Sequence, residues 1–212
     1  HALGLRWAGS PYWRTALGSR LTCSVEAYAA VGGMNRRTAG EDFYFLQELA
    51  KTGELGDIAT TCVHPSGRAS RRVPFGTGPR VFAAGSGAGA AILAYNPEVY
   101  RVLRAWIELV QAELDSSPQR LVREAGTIHA ALASFLSANR FEKAWESLRG
   151  NHPDSRRLLR EFHRWFDGLK TLRAIHALRD AAFPSHGPAT VLPRLVALAG
   201  LDETAFAEAH RN

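Results

Sequence analysis

The sequence lacks an apolar segment long enough to cross a membrane. Its longest stretch without a charged residue is residues 81–97, VFAAGSGAGAAILAYNP. This stretch is rich in glycine and falls short of the roughly 20 apolar residues that a bilayer requires. We therefore expect no transmembrane segment. A composition of 46% hydrophobic and 22% charged residues is typical of a globular chain.

Cysteine and methionine are also scarce. The two cysteines, Cys23 and Cys62, do not form a CxxC motif, so we expect reduced thiols and a cytoplasmic location. The only methionine is Met34, the chain begins at His1, and no signal-peptide pattern opens it. These features lead us to expect that the chain is a fragment of a longer protein.

Acidic residues are missing from residues 58–97. Four arginines fall inside this window: Arg68, Arg71, Arg72 and Arg80. A cluster of charges of one sign can bind phosphate or another polyanion. Solvated arginines that pair with acids elsewhere in the chain would give the same pattern, so both interpretations stay open.

The pattern of the chain changes near residues 80–97. Two short β-like runs, RLTCSV and DIATTCVHP, precede this point, whereas helical periodicity follows it. We therefore predict an α+β, predominantly helical chain. The expected parts are a partial α/β unit at residues 1–80, a glycine-rich hinge or loop at 81–96, and a helical region at 97–212.

The helical region should bury one face of its first helix. Helical spacing places four apolar side chains on that face: Val99, Leu103, Trp106 and Val110. Trp106, Trp145 and Trp165 occur at helical spacing among aliphatic residues, which predicts packing in the core. Asp154 or Ser155 is the expected N-cap of a later helix.

Another helix, with two adjacent carboxylates, is predicted in AGEDFYFLQELAKTGE, residues 39–54. Thr38 and Glu41 have the spacing of a capping box, which gives Glu41 a structural role. Asp42 aligns instead with an apolar stripe of Phe45, Leu46 and Leu49. The helix dipole favours an ionised carboxylate in the first turn, where it can serve as a general base for a hydroxyl.

Residues 18–80 resemble the acceptor-side half of family 2 glycosyltransferases with the GT-A fold. An aromatic-containing segment runs into Gly32 and Gly33 of AVGGMNRRT, then Glu41 and Asp42 open a helix, and a strand and a basic segment follow. The resemblance implies inverting transfer of a sugar from a nucleotide-diphosphate donor to a hydroxyl acceptor. Asp42 would be the general base and Glu41 would bind the acceptor, while the glycines let a ligand approach the backbone.

The resemblance also gives the basic segment HPSGRASRRVPFGTG a role in binding the donor diphosphate, since guanidinium groups bind phosphate oxygens in pairs. The expected substrate-binding residues of this segment are Arg68, Arg71, Arg72, Gly76 and Thr77. His64 is a candidate metal ligand, because some family members use a histidine in this region.

Such enzymes carry an Asp-x-Asp metal motif in a nucleotide-binding half, and no two aspartates of this chain have that spacing. We therefore expect the donor-binding half to be absent and the chain alone to be inactive. The complete enzyme would need Mg²⁺ or Mn²⁺, but this chain would bind no metal tightly. The hydrophobic face that would contact the missing half is expected to cause self-association of the chain. No nucleic-acid partner is expected. A non-enzymatic alternative stays open, a helical interaction module that binds a polyanion or a protein.

Overall fold

The computed structural model describes residues 1–14, 21–36, 40–58, 60–61, 63–64 and 93–202. The chain divides into two compact units, residues 1–13 with 93–212 and residues 14–92. Ten helices occur in the described residues: α1 (Ala2–Trp7), α2 (Val25–Ala30), α3 (Glu41–Thr52), α4 (Glu98–Ala112), α5 (Pro118–Ile128), α6 (Ala130–Ala138), α7 (Phe141–Asn151), α8 (Ser155–Trp165), α9 (Gly168–Ala181) and α10 (Pro188–Leu198). None of them combines the length and apolarity that crossing a bilayer requires.

The predicted α+β class is wrong, because the described residues contain helices and no strand. Their β-type pairing is limited to an isolated antiparallel bridge between Ala94 and His186. The GT-A α/β unit expected within residues 1–80 is therefore not formed by the described part of that region. An all-helical architecture replaces it there.

The described residues of the two β-like runs form no strand. The run RLTCSV leads into α2, because the Ser24 side chain accepts the backbone N–H of Ala27 at 3.1 Å and caps the helix. The described residues of DIATTCVHP are irregular and have no neighbouring strand. A β-rich composition forms a strand only when a partner completes the hydrogen-bond ladder.

The first unit contains α1 and α4–α10 around an aromatic core. The predicted buried face of α4 is confirmed, since Val99, Leu103, Trp106 and Val110 are fully buried. Trp106 meets Phe141, Phe162 and Phe166 edge-on, with ring centroids 5.2, 5.9 and 6.4 Å away. Such edge-to-face contacts add stability beyond the area that they bury. The core position of Trp106 and Trp145 is confirmed, whereas Trp165 is only partly buried.

Side-chain caps fix where several helices of this unit begin. The carboxylate of Asp154 accepts the N–H of Arg157 at 2.8 Å, which confirms Asp154 as the N-cap of α8. Asp167 accepts the N–H of Lys170 at 3.0 Å and caps α9 in the same way. Each cap satisfies a backbone donor that the first turn leaves free.

Adding a methyl group at two helical glycines is expected to change the stability of the chain in opposite directions. A Cβ at Gly4 of α1 would lie 2.5 Å from the buried ring of Tyr100, whereas a Cβ at Gly126 of α5 would lie 3.6 Å from the Cβ of Ala133. We expect Gly4→Ala to lower the free energy of unfolding by about 1–3 kcal/mol through overpacking. Gly126→Ala should raise it by about 0.5–1 kcal/mol, because alanine is the better helix former. Urea unfolding of both variants checks this, and equal shifts of the same sign would contradict it.

Candidate functional site

The predicted catalytic pair lies in the first turn of α3, in the second unit. Gly40 is the N-cap, with a left-handed backbone (φ 76°) and no side-chain hydrogen bond. The predicted capping box of Thr38 and Glu41 therefore does not start this helix, and Thr38 itself lies outside the described residues. Glu41 and Asp42 are both partly buried. The left-handed glycine and the acidic first turn together define this helix start.

Asp42 combines partial burial with a local hydrogen bond. Its Oδ1 accepts the backbone N–H of Phe43 at 2.8 Å, so the carboxylate satisfies one of the free donors of the first turn. The predicted apolar stripe of α3 is confirmed as its inner face, since Phe45, Leu46 and Leu49 are buried. This packing holds the helix, and with it the backbone of Asp42, in one position.

The glycine pair ends α2. Gly32 donates its N–H to the carbonyl of Ala29 at 3.0 Å, and Gly33 donates to the carbonyl of Tyr28 at 2.9 Å. Both glycines have positive φ, 73° and 79°, and this pair of bonds is a Schellman motif. A Cβ at Gly33 would lie 3.0 Å from the Tyr28 ring. The pair therefore has a structural role in turning the chain out of α2.

A cavity of about 560 Å³ is lined by α2, α3 and the segments beside them. Its apolar lining includes Leu46 and Leu49, and its polar lining includes Arg14, Glu26 and Asp57. Arg14 Nε lies 3.4 Å from Asp57 Oδ2. The volume is in the range of small-molecule sites, yet neither Asp42 nor the glycine pair lines it. Sequence reasoning missed this cavity, because its lining comes from separate segments that only folding brings together.

The described residues give little support to the predicted metal site and the predicted diphosphate site. His64 is exposed. No group of three or more His, Cys, Asp or Glu side chains that could hold a metal occurs in the described part of the chain. These residues alone do not fit a divalent metal centre. The remaining predicted substrate-binding residues lie outside the described residues: Arg68, Arg71, Arg72, Gly76 and Thr77.

The first unit presents a cationic surface on α8, which we call the arginine face. It consists of four exposed side chains: Arg156, Arg157, Arg160 and Arg164. On the opposite side of the helix, Leu158 and Phe162 are buried in the core. Sequence reasoning did not single out this face, although the segment SRRLLREFHRW shows the required periodicity.

Most of the arginine face has no neutralising carboxylate among the residues that the structure describes. Glu161 pairs with Arg164 at 3.0 Å. In the described residues, Arg156, Arg157 and Arg160 have no carboxylate within 4.0 Å. His163 of the same helix adds no charge at neutral pH, because burial lowers the pKa of its imidazole to about 4.

Comparison with known proteins identifies no relative. No protein-family model, no curated protein and no solved structure matches this chain.

Proposed function

We propose that the chain is part of an inverting glycosyltransferase that moves a sugar from a nucleotide-diphosphate donor to a hydroxyl acceptor. The placement of the acidic pair supports this most, since Glu41 and Asp42 are partly buried in the first turn of a helix whose apolar side is packed. The sheet that the resemblance implied is absent from the described residues. Support therefore comes from residues and their positions, and the GT-A fold does not contribute.

Asp42 would take the proton from the acceptor hydroxyl. The backbone N–H of Phe43 donates to one of its oxygens at 2.8 Å and holds the carboxylate in place. Its carboxylate would accept the proton, and Glu41 beside it would bind the acceptor. Arg68, Arg71 and Arg72 would bind the donor diphosphate as part of the complete enzyme.

Exposed apolar side chains of the second unit support the proposal that further protein covers it. Val25 is 80% exposed and Ile58 is 60% exposed. Large apolar side chains in water are typical of surfaces that meet a partner. The missing half of the enzyme would cover them, and the isolated chain would self-associate through them. The free, exposed thiol of Cys23 favours a reducing, cytoplasmic setting for the complete protein.

The test compares this chain with the complete protein to which it belongs. Calorimetric titration with UDP, GDP and their sugar conjugates, with Mg²⁺ or Mn²⁺ present, should show saturable binding by the complete protein and turnover of one conjugate. The 212-residue chain alone should turn over none. Turnover by this chain alone would refute the proposed absence of the donor half. A complete protein that binds none of the nucleotides would refute sugar transfer.

A second candidate is a non-enzymatic helical interaction module. The observation that favours it is the arginine face, which stands on a unit whose aromatic core is closely packed. A module of this kind binds its partner without the rest of the protein, whereas the enzyme fragment alone is inactive. Full binding of an acidic partner by the isolated chain, together with no nucleotide binding by the complete protein, would favour the module.

A further inference from the structure

We infer that the arginine face of α8 docks the chain on the surface of an anionic lipid bilayer. This goes beyond sugar transfer, because it concerns where the chain is held and not what it transfers, and it names a partner for the same arginine face on which the interaction-module candidate rests. The face would bind headgroup phosphates, and the protein would stay outside the hydrocarbon layer.

The first argument is the concentration of charge. Residues 155–173 hold six Arg and Lys residues and two acidic residues, a net charge of +4 within a chain of net charge +6. Both acids are already engaged, because Glu161 pairs with Arg164 and Asp167 caps α9. Guanidinium groups with no carboxylate beside them in the described part of the chain are suited to phosphate oxygens, which they bind in a bidentate manner.

The second argument is the extension of the cationic surface onto α9. Lys170 Nζ lies 5.1 Å from the centroid of the Trp165 ring, at the end of α8. Arg173, one turn further along α9, is exposed. The positive charges therefore spread over two consecutive helices with a partly buried tryptophan between them. Tryptophan beside basic side chains is typical of protein surfaces at the membrane interface.

The composition of α8 favours phosphate binding over base-specific recognition of a nucleic acid. Leu158 and Phe162 are buried, and Phe162 meets the rings of Trp106 and Trp145 at 5.9 and 6.1 Å. The buried side of α8 is closed to a partner, so only the arginine face can meet one. The sequence of α8 also contains no Asn or Gln, the side chains that read adenine.

The same packing makes the attachment electrostatic. Leu158 and Phe162 of α8 are buried in the core, so the helix cannot insert them between lipids as an interfacial amphipathic helix does. Binding should therefore require anionic lipid and should be reversed by salt, because screening acts over about 10 Å at 0.1 M ionic strength.

The test is co-sedimentation of the purified chain with vesicles. One set contains phosphatidylcholine with about 30% phosphatidylglycerol, and the other contains phosphatidylcholine alone. The test variant is Arg156→Gln/Arg157→Gln/Arg160→Gln. The control removes three exposed arginines that each lie near a carboxylate: Arg101, Arg120 and Arg123, at 3.4, 3.2 and 3.8 Å from Glu98, Glu113 and Glu124.

We expect the chain to bind the anionic vesicles and not the neutral ones at about 0.1 M salt. The test variant should partition roughly 100-fold more weakly, since each arginine near an anionic surface contributes about fivefold. The control should change by about twofold or less, because its guanidinium groups are already partnered. Equal losses in both variants would show a non-specific charge effect and overturn the inference. Binding to neutral vesicles, or tighter binding to a DNA duplex than to the anionic vesicles at equal salt, would overturn it as well.

Discussion

Replacing Trp106 with alanine is expected to lower the free energy of unfolding of the first unit by about 3–5 kcal/mol. Trp106 is fully buried and its ring contacts Phe141, Phe162 and Phe166, which come from α7, α8 and the turn after α8. Loss of the indole removes buried apolar area and leaves a cavity that these three rings cannot fill without moving. Urea unfolding followed by circular dichroism would measure the loss.

Trp106→Phe is the matched control. The indole Nε1 of Trp106 is buried and has no hydrogen-bond acceptor in the described residues. Phenylalanine removes this unsatisfied donor and keeps most of the ring, so we expect a loss of less than about 1.5 kcal/mol. A Trp106→Ala variant as stable as Trp106→Phe would show that the aromatic cluster does not hold the unit together.

In the glycosyltransferase that we propose, Asp42→Asn is expected to lower kcat by roughly 10²–10⁴-fold and to leave donor affinity nearly unchanged. A general base acts on the acceptor hydroxyl in the transition state, so its loss raises the barrier by about 3–5 kcal/mol. The asparagine oxygen can still accept the Phe43 N–H, at 2.8 Å from Oδ1 in the native chain, so folding should be preserved. Steady-state kinetics and a donor titration measure the two quantities separately.

Two further variants distinguish the base from its neighbours. Glu41→Gln should reduce kcat less than Asp42→Asn, since Glu41 is proposed to bind the acceptor and not to move a proton. Arg71→Ala/Arg72→Ala should weaken nucleotide binding first, because these side chains are proposed to bind the diphosphate. Near-normal turnover by Asp42→Asn would leave Asp42 with only its structural role at the start of α3.

The sequence correctly predicted features that depend on residues close together in the chain. The inner faces of α3 and α4 follow from helical spacing, and Phe45, Leu49, Leu103 and Val110 are all buried. The N-cap Asp154 was also predictable, because the cap bond to Arg157 spans only three residues. Helices depend on local hydrogen bonds and local periodicity, which is why their apolar faces can be read from the sequence.

Features that depend on residues far apart in the chain were decided only by the tertiary structure. No partner strand for the β-like runs occurs in the described residues, and composition cannot supply one. The packing of α1 against Tyr100 makes residues 1–13 part of the same unit as residues 93–212. The cavity of the second unit is likewise lined by segments that are distant in the sequence. The sequence determined how many arginines the chain has, but the fold decided which of them face water without a carboxylate beside them. Pairing, packing and charge neutralisation all depend on residues far apart in the chain, and only folding brings those residues together.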